Sequence, residues 1–220
     1  AATLLFAPTE CARLALLSDN VAEERIIVTG NTVVDAVHHA LSLPAPDLSQ
    51  LLPNVPKKAP IVLVTAHRRE SFGDTLVGIC TAIRRLAEDF ESEGLHFVFP
   101  VHLNPRVEGP VTDTLGATRN IHLRPPLDYL SMLQLMRRAS LILTDSGGVQ
   151  EEAPAVGTPA LVMRETTERP EGIQAGCVRL VGTDPIKIYN SAASLLRNPL
   201  DRASMNTDKN PYGDGKAARR

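Results

Sequence analysis

Six short runs of Val, Ile and Leu, each followed by a longer amphipathic stretch, most constrain what this chain can fold into. The runs are continuously apolar rather than alternating, which is typical of strands buried on both faces of a parallel sheet. Strands that alternate with helices predict an α/β fold built on a doubly wound parallel sheet. The predicted strands are Ile61–Ala66, His96–Val101, Ile121–Arg124, Leu141–Thr144, Ala160–Met163 and Val178–Val181.

The segments between these strands have the apolar period of amphipathic helices. The predicted helices are Thr75–Phe90, Arg106–Leu115, Asp128–Arg138, Gly148–Val156, Arg169–Ala175 and Pro185–Leu196. Four prolines make Leu43–Ala59 a loop that leads into the sheet. Before this loop the pattern predicts a strand at Leu4–Ala7, a helix at Thr9–Ser18 and a strand–helix unit from Arg25 to Leu43, with its strand at Arg25–Val28.

The segments before the loop do not complete a domain by themselves. We therefore expect three parts: the remnant of a preceding domain with its linker (residues 1–24), the main α/β domain (25–200) and the start of a C-terminal tail helix (201–220).

Charge and composition exclude several classes of protein. With 23 Lys and Arg against 25 Asp and Glu, the chain lacks the basic excess that nucleic-acid binding requires, so we expect no nucleic-acid partner. No apolar run is long enough to span a membrane, and the first residues do not resemble a signal peptide. The cysteines Cys11, Cys80 and Cys177 have no metal-ligand spacing, which predicts reduced thiols in a cytoplasmic protein. The adjacent His38 and His39 would point apart on a helix, so we expect no metal.

Ligands of doubly wound sheets bind at the carboxyl ends of the strands, near the point where the strand order reverses. The strongest signal at those ends is Asp145-Ser146-Gly147-Gly148, in which a buried strand runs into a helix with Asp145 or Ser146 as its N-cap. Glycine amides at a helix N-terminus can hold an anion such as a diphosphate. The alternative is that the glycines only permit a tight turn. Glu152 could accept hydrogen bonds from ribose hydroxyls or simply complement the helix dipole.

Two other strand ends carry basic residues. His67 and Arg68 follow one strand, and His102 follows the next; each histidine could face the ligand or play a structural role. The charged segment 164–171 is either a solvated loop or a loop from which Arg169 enters the cleft. The chain has no GxGxxG, Walker or GxSxG motif, so no standard dinucleotide, ATP or serine-hydrolase site is expected.

Seven strings in this sequence resemble those of the non-hydrolysing bacterial UDP-N-acetylglucosamine 2-epimerases, and the resemblance covers essentially the whole chain. The strings are Phe6–Glu10, Val28–Val33, Val64–Ser71, Pro100–Pro105, Thr144–Pro154, Arg164–Pro170 and Asn210–Gly215. The resemblance implies a Rossmann-like UDP-binding domain that forms the C-terminal half of a GT-B-type two-domain fold. It further implies that UDP-sugar binds in the cleft between the two domains.

The resemblance also implies roles for individual residues. His67 matches the family's histidine beside the diphosphate, which makes it the catalytic candidate, although Ala66 replaces the glycine that usually precedes it. Ser146, Gly147 and Gly148 match the turn that binds the UDP phosphates.

Further matches concern the nucleoside and a second ligand. Glu152 matches the carboxylate on the ribose hydroxyls, and Arg169 matches the arginine that faces the nucleotide. Leu127 and Met132 match positions around uracil where other members have Gln and Phe. Arg68 and His102 match residues that bind a second, activating UDP-sugar in some members.

The family reaction eliminates UDP to give a 2-acetamidoglucal and then adds UDP back with the C2 proton on the opposite face. The resemblance therefore implies interconversion of UDP-GlcNAc and UDP-ManNAc for cell-surface polysaccharide, with UDP as a further ligand, no cofactor and a homodimer. The family's acid–base carboxylates lie on the N-terminal domain, so we expect this chain alone to be inactive. The alternatives are a GT-B glycosyltransferase domain and a non-catalytic UDP-sugar-binding domain.

Overall fold

The computed structural model of the protein describes residues 2–206 and 210–220 and contains eight strands in those ranges. The strands are β1 (Leu5–Ala7), β2 (Ile26–Val28), β3 (Ile61–Thr65), β4 (His96–Pro100), β5 (Ile121–Arg124), β6 (Leu141–Thr144), β7 (Ala160–Val162) and β8 (Val178–Leu180). The last six form one parallel sheet in the order β5-β4-β3-β6-β7-β8. This is the strand order of a doubly wound dinucleotide-type sheet, which confirms the predicted fold class.

Nine α-helices connect and flank these strands within the described ranges. They are α1 (Glu10–Ser18), α2 (Thr32–Ser42), α3 (Asp74–Asp89), α4 (Pro105–Leu115), α5 (Tyr129–Arg138), α6 (Gly147–Val156), α7 (Pro170–Gln174), α8 (Pro185–Arg197) and α9 (Pro199–Ser204). Side-chain caps start several of them; for example, the Asp128 carboxylate accepts from the Ser131 N–H and begins α5. The sequence pattern did not predict α9.

Two apolar cores lie on opposite faces of the six-stranded sheet because side chains alternate along a strand. Val62 and Val64 of β3 belong to a core that α3, α4 and α8 cover. Ile61 and Leu63 of the same strand belong to a second core, against α2, α5 and α6. All five residues of β3 are buried, as the continuously apolar run predicts. The sheet therefore sits between two layers of helices.

β1 and β2 form a separate two-stranded parallel sheet. The segment 26–28, which the predicted domain boundary assigns to the main domain, therefore pairs with β1 rather than with the six-stranded sheet. The chain then enters α2, which packs on α5 and α6. At the other end, the N–H groups of Ala217 and Ala218 donate to Asp35 of α2, and residues 217–219 form a single 3-10 turn. Residues 207–209 of the predicted tail lie outside the described ranges.

In residues 2–206 and 210–220, no helix combines the length and the apolar character that crossing a membrane requires.

Candidate functional site

The site is built where the strand order reverses, between β3 and β6. These two strands are hydrogen-bonded neighbours, with Thr65 opposite Thr144 at their carboxyl ends. Their crossover helices leave on opposite sides of the sheet, so the loops that follow Thr65 and Thr144 lie side by side with a crevice between them. Sequence residues about 80 positions apart therefore meet at this edge.

A buried pair of hydroxyls fixes the start of both loops. The Thr65 and Thr144 hydroxyl oxygens are 2.6 Å apart. The Ser146 N–H also donates to the Thr144 hydroxyl, at 2.9 Å. Both threonines are buried, so this hydrogen-bonded pair holds the beginning of the Ser-Gly-Gly turn in one conformation.

The turn Ser146-Gly147-Gly148 presents the N-terminus of α6, as predicted. Ser146 is the N-cap residue, and its side chain makes no capping hydrogen bond to the described part of the helix. A Cβ atom on Gly147 would lie 3.1 Å from Nη2 of Arg68. The Arg68 guanidinium thus lies directly over the turn, and the first amides of α6, the helix dipole and this cation all favour an anion at the same place.

Asp145 does not cap α6, although the sequence left it as one of two N-cap candidates; Ser146 takes that position. The Asp145 side chain is completely buried, and its Oδ2 accepts from the N–H groups of both His67 and Arg68 at 2.8 Å. Burial raises the pKa of this carboxyl, whereas those two amides and the nearby His67 and Arg68 side chains oppose the rise. The sequence analysis did not predict this role. An acidic residue directly after a wholly buried strand is the feature that could have indicated it.

His67 and His102 lie together at the exposed edge of the site. Their rings stack with centroids 5.7 Å apart and planes 8° from parallel. His102 also accepts through Nδ1 from the Asn104 N–H, at 3.1 Å, so it fixes the start of α4 as well. The two predicted histidines and Arg68 therefore belong to one cluster. A cavity of about 360 Å³ beside it is lined by Arg69, Phe72, Asn104 and Arg106.

The charged segment after β7 is anchored by a buried arginine rather than being a wholly solvated loop. The Arg164 side chain is 5% exposed and donates to Glu70 at 2.7 Å and to both carboxylate oxygens of Glu168 at 2.8 and 3.0 Å. The hydrogen bonds from Arg164 lower the pKa of Glu168 to about 2. Glu168 also lies 4.0 Å from Arg68. Ion pairs therefore join the loop after β3 to the loop after β7.

Arg169 extends from this anchored segment and pairs with Glu151 of α6. The same segment is tied to α6 by Thr167, whose hydroxyl donates to the buried Gln150 side chain at 2.6 Å. Gln150 in turn donates to the Ser146 carbonyl at 3.2 Å. Arg169 is thus held beside α6, although its pairing with Glu151 was not predicted.

The remaining predicted residues lie on α6, on α5 and just before the start of α5. Glu152 is half-buried, and burial raises its pKa, opposed by a hydrogen bond with Tyr129. Burial and the Glu152 carboxylate raise the pKa of Tyr129 to about 12. Leu127 and Met132 are half-buried beside the core on this face of the sheet. Sequence reasoning missed Tyr129, which lies in the first turn of α5 and contacts Glu152.

The described residues offer no group of three or more His, Cys, Asp or Glu side chains arranged to hold a metal ion. The chemistry of this edge is instead that of anion binding: amides, a helix N-terminus and arginine side chains around a histidine.

Comparisons with known proteins agree with this geometry. The UDP-N-acetylglucosamine 2-epimerase of Salmonella typhimurium is 48% identical over 222 residues, covering 98% of this chain and 58% of that protein. The crystal structure of UDP-GlcNAc 2-epimerase from Neisseria meningitidis bound to UDP-GlcNAc superimposes with a TM-score of 0.92 at 40% identity, covering 99% of this chain and 60% of that one. The S. aureus MnaA–UDP co-structure gives a TM-score of 0.90 at 37% identity, covering 99% and 57% of the two chains.

The chain thus spans about three fifths of the length of the curated relatives it matches. This share agrees with the expected C-terminal portion of a two-domain, GT-B-type fold. The model of the family described as UDP-N-acetylglucosamine 2-epimerase matches residues 1–220. On the match of the whole sequence and of the fold, the chain belongs to the UDP-N-acetylglucosamine 2-epimerase family.

Proposed function

We propose that this chain is the UDP-binding part of a UDP-N-acetylglucosamine 2-epimerase, which interconverts UDP-GlcNAc and UDP-ManNAc for cell-surface polysaccharide. The observation that carries the proposal is the position of Arg68 over Gly147 at the N-terminus of α6. A diphosphate on this turn would accept hydrogen bonds from the first amides of α6 and from the guanidinium. The solved relatives described as bound to UDP-GlcNAc and UDP support the choice of ligand.

The neighbouring residues fit the rest of a uridine nucleotide. The half-buried Glu152 carboxylate accepts hydrogen bonds from the ribose hydroxyls. Leu127 and Met132 provide apolar contact for the uracil ring, on the same face of the sheet. Arg169, fixed beside α6 by Glu151, faces the nucleotide from the other loop.

The reaction explains why this grip is needed. The C2 proton of the sugar is not adjacent to a carbonyl, so its direct removal would leave an unstabilised carbanion. Elimination of UDP avoids this carbanion, but the departed UDP must be held in place until it adds back. His67, Arg68 and the amides of α6 stabilise the charge that develops on the leaving diphosphate. The carboxylates that move the C2 proton belong to the other domain, so this chain alone binds UDP without turnover.

Four finer points complete the proposal. The main UDP-binding domain comprises residues 25–200, between the remnant at 1–24 and the tail at 201–220, and the intact protein is a homodimer. It works in the cytoplasm, where thiols such as those of Cys11 and Cys80 stay reduced. Where a second UDP-sugar activates the enzyme, Arg68 bridges it and the substrate diphosphate, and His102 binds it beside the cavity lined by Arg69 and Arg106.

Calorimetric titration of UDP into Gly147→Val tests the site. The added side chain would displace Arg68 and cover the amides of α6, so we expect the Kd for UDP to rise about 100-fold through the loss of charge-assisted hydrogen bonds. Gly109→Val is the matched control, because a Cβ atom on Gly109 of α4 has no other atom within 4 Å. Unchanged UDP affinity in folded Gly147→Val would remove this turn from the binding site.

An activity assay separates the competing functions. The intact protein should convert UDP-GlcNAc to UDP-ManNAc without any acceptor. A glycosyltransferase would release UDP only when an acceptor is present, and a non-catalytic binding domain would show UDP binding without turnover even with the other domain supplied.

A further inference from the structure

Asp145, the buried carboxylate beneath His67, has one more oxygen than is needed to hold the loop after β3 in place. Asp145 Oδ2 alone accepts from the His67 and Arg68 amides, both at 2.8 Å, and these two hydrogen bonds are enough to fasten the loop after β3 to the end of β6. An asparagine could make the same two contacts through its carbonyl oxygen. The second oxygen therefore needs a separate explanation.

Asp145 Oδ1 is buried, and no group in the described part of the chain donates a hydrogen bond to it. A buried carboxylate oxygen without a donor is costly, so such an atom in a folded protein points to a partner. Within 4 Å of it lies one side-chain nitrogen of a basic residue in the described ranges, Nδ1 of His67, at 3.6 Å. This separation is longer than a hydrogen bond, but hydrogen bonds in catalytic sites often tighten only when the ligand is present.

The His67 ring has limited freedom to move away from this oxygen. Its backbone N–H is fixed by Asp145, and one ring face stacks on His102. The side chain is nevertheless 41% exposed, so the edge opposite Nδ1 is accessible to a ligand. In an imidazole, the nitrogen on that opposite edge is Nε2.

We propose that Asp145 is a positioning residue for His67: its Oδ1 accepts a hydrogen bond from Nδ1–H and thereby directs Nε2 toward the diphosphate. This inference rests on the proposed function, in which His67 lies beside the diphosphate. The carboxylate selects the Nδ1-protonated tautomer of the neutral ring and stabilises the imidazolium, which can donate from Nε2 to a phosphate oxygen. Asp145 itself does not touch the ligand.

The wild-type chain provides the first test, through the two-bond ¹⁵N–¹H spectrum of its imidazole rings, with His67 assigned by comparison with His67→Gln. We expect His67, when neutral, to carry its proton on Nδ1. A neutral ring protonated on Nε2 would overturn the proposal, and this result needs no ligand and no altered carboxylate.

Asp145→Asn provides the second test. The amide oxygen keeps the contacts to both backbone N–H groups, whereas the amide nitrogen now donates toward Nδ1 and should move the neutral ring's proton to Nε2. We expect the Kd for UDP to rise about tenfold, because without the carboxylate the imidazolium is less stable and a neutral Nε2–H gives the phosphate a weaker, uncharged hydrogen bond. In the His67→Gln background, the same substitution should leave UDP affinity unchanged.

The outcomes separate the two proposals. An equal loss of affinity from Asp145→Asn with and without His67 would mean that Asp145 only fastens the loop, and the positioning role would be wrong. If Asp145→Asn does not fold, the wild-type spectrum still decides the question. If the wild-type chain fails to bind UDP, the proposed function fails, while the tautomer of His67 still tests Asp145.

Discussion

Two pairs of imidazoles lie at opposite ends of the six-stranded sheet and have different surroundings. His67 and His102 follow β3 and β4 at the carboxyl edge, where their stacked rings are exposed. His96 begins β4, and His122 lies near the start of β5; their ring nitrogens, Nδ1 and Nε2, are 2.9 Å apart. The first pair lies over a buried carboxylate, whereas the second pair is near the cations Arg124 and Arg138.

These surroundings give histidine a different role in each pair. Burial, the neighbouring His96 and then Arg124 lower the pKa of His122 to about 4, so this ring is neutral and packs as part of the structure. At the carboxyl edge, by contrast, acidic groups neutralise the clustered cations and hold them ready for an anion. The comparison teaches that ion pairs hold the side chains in place at the carboxyl edge of the sheet, whereas burial holds them in place at the opposite edge.

Arg164→Met should have the largest effect, because it removes the cation that joins two loops at the ligand-facing edge. We expect the free energy of unfolding to fall by about 3 kcal/mol, because the buried guanidinium makes three charge-assisted hydrogen bonds, to carboxylates that are themselves more than half exposed. The matched control is Arg119→Met near the opposite end: Arg119 is 91% exposed and lies 3.6 Å from Glu91, so its loss should cost less than about 0.5 kcal/mol. Urea denaturation measures both, and equal losses would contradict the comparison.

His122→Phe should have the next largest effect, on the pH dependence of stability. The folded-state pKa of His122 lies below its ordinary value of 6.5, so the unfolded chain binds more protons between about pH 6.5 and 4. The stability that the neutral His122 contributes should therefore be fully present above pH 6.5. The free energy of unfolding should fall by about 2 kcal/mol as the pH drops to 4. Urea titrations across this range should show that His122→Phe loses most of this slope and that Leu123→Met keeps it. A slope that persists in His122→Phe would assign it to other groups.

Glu168→Gln should have the smallest effect, in a more acidic window. The folded-state pKa of about 2 lies below the ordinary 4.5, so the stability that Glu168 contributes is present above pH 4.5 and is lost as the pH falls through about 2. Since Glu168 is more than half exposed, solvent screening limits the contribution to about 1 kcal/mol. Wild type and Glu168→Gln should thus differ at pH 7 and converge in acid. In the Arg164→Met background the difference should shrink to the small part that the more distant Arg68 supplies, and a full difference there would disprove the role of the Arg164–Glu168 ion pair.

The fold could be predicted closely because each buried strand is a continuous apolar run with a polar end. The strands Ile121–Arg124 and Leu141–Thr144 begin and end as predicted. The helix Pro199–Ser204 was missed because six residues carry too little periodicity to register as a pattern. The local sequence pattern also does not determine which strands pair, so it did not indicate that residues 26–28 pair with β1.

The candidate site was predictable only in its ligand-facing parts. Glycines and basic residues at strand ends follow from the general rule for doubly wound sheets. The supporting contacts do not, because they join residues distant in sequence: Arg164 and Glu70 are 94 positions apart. Which acidic residue neutralises which arginine depends on the strand order, and for the same reason the burial of Asp145 beneath His67 could not be foreseen.

The Asp145 carboxylate joins the two halves of the sheet, since it accepts hydrogen bonds from amides 77 and 78 positions earlier in the chain. Neither half of the sheet can complete the anion site by itself, so binding competence arises only after the two halves have docked. Under the proposed function, nucleotide affinity therefore reports complete folding: a variant that keeps its helices but does not join β3 to β6 would give a normal circular dichroism spectrum without binding nucleotide. Under the proposed function, added nucleotide would slow hydrogen exchange more at the junction of β3 and β6 than in any other part of the sheet.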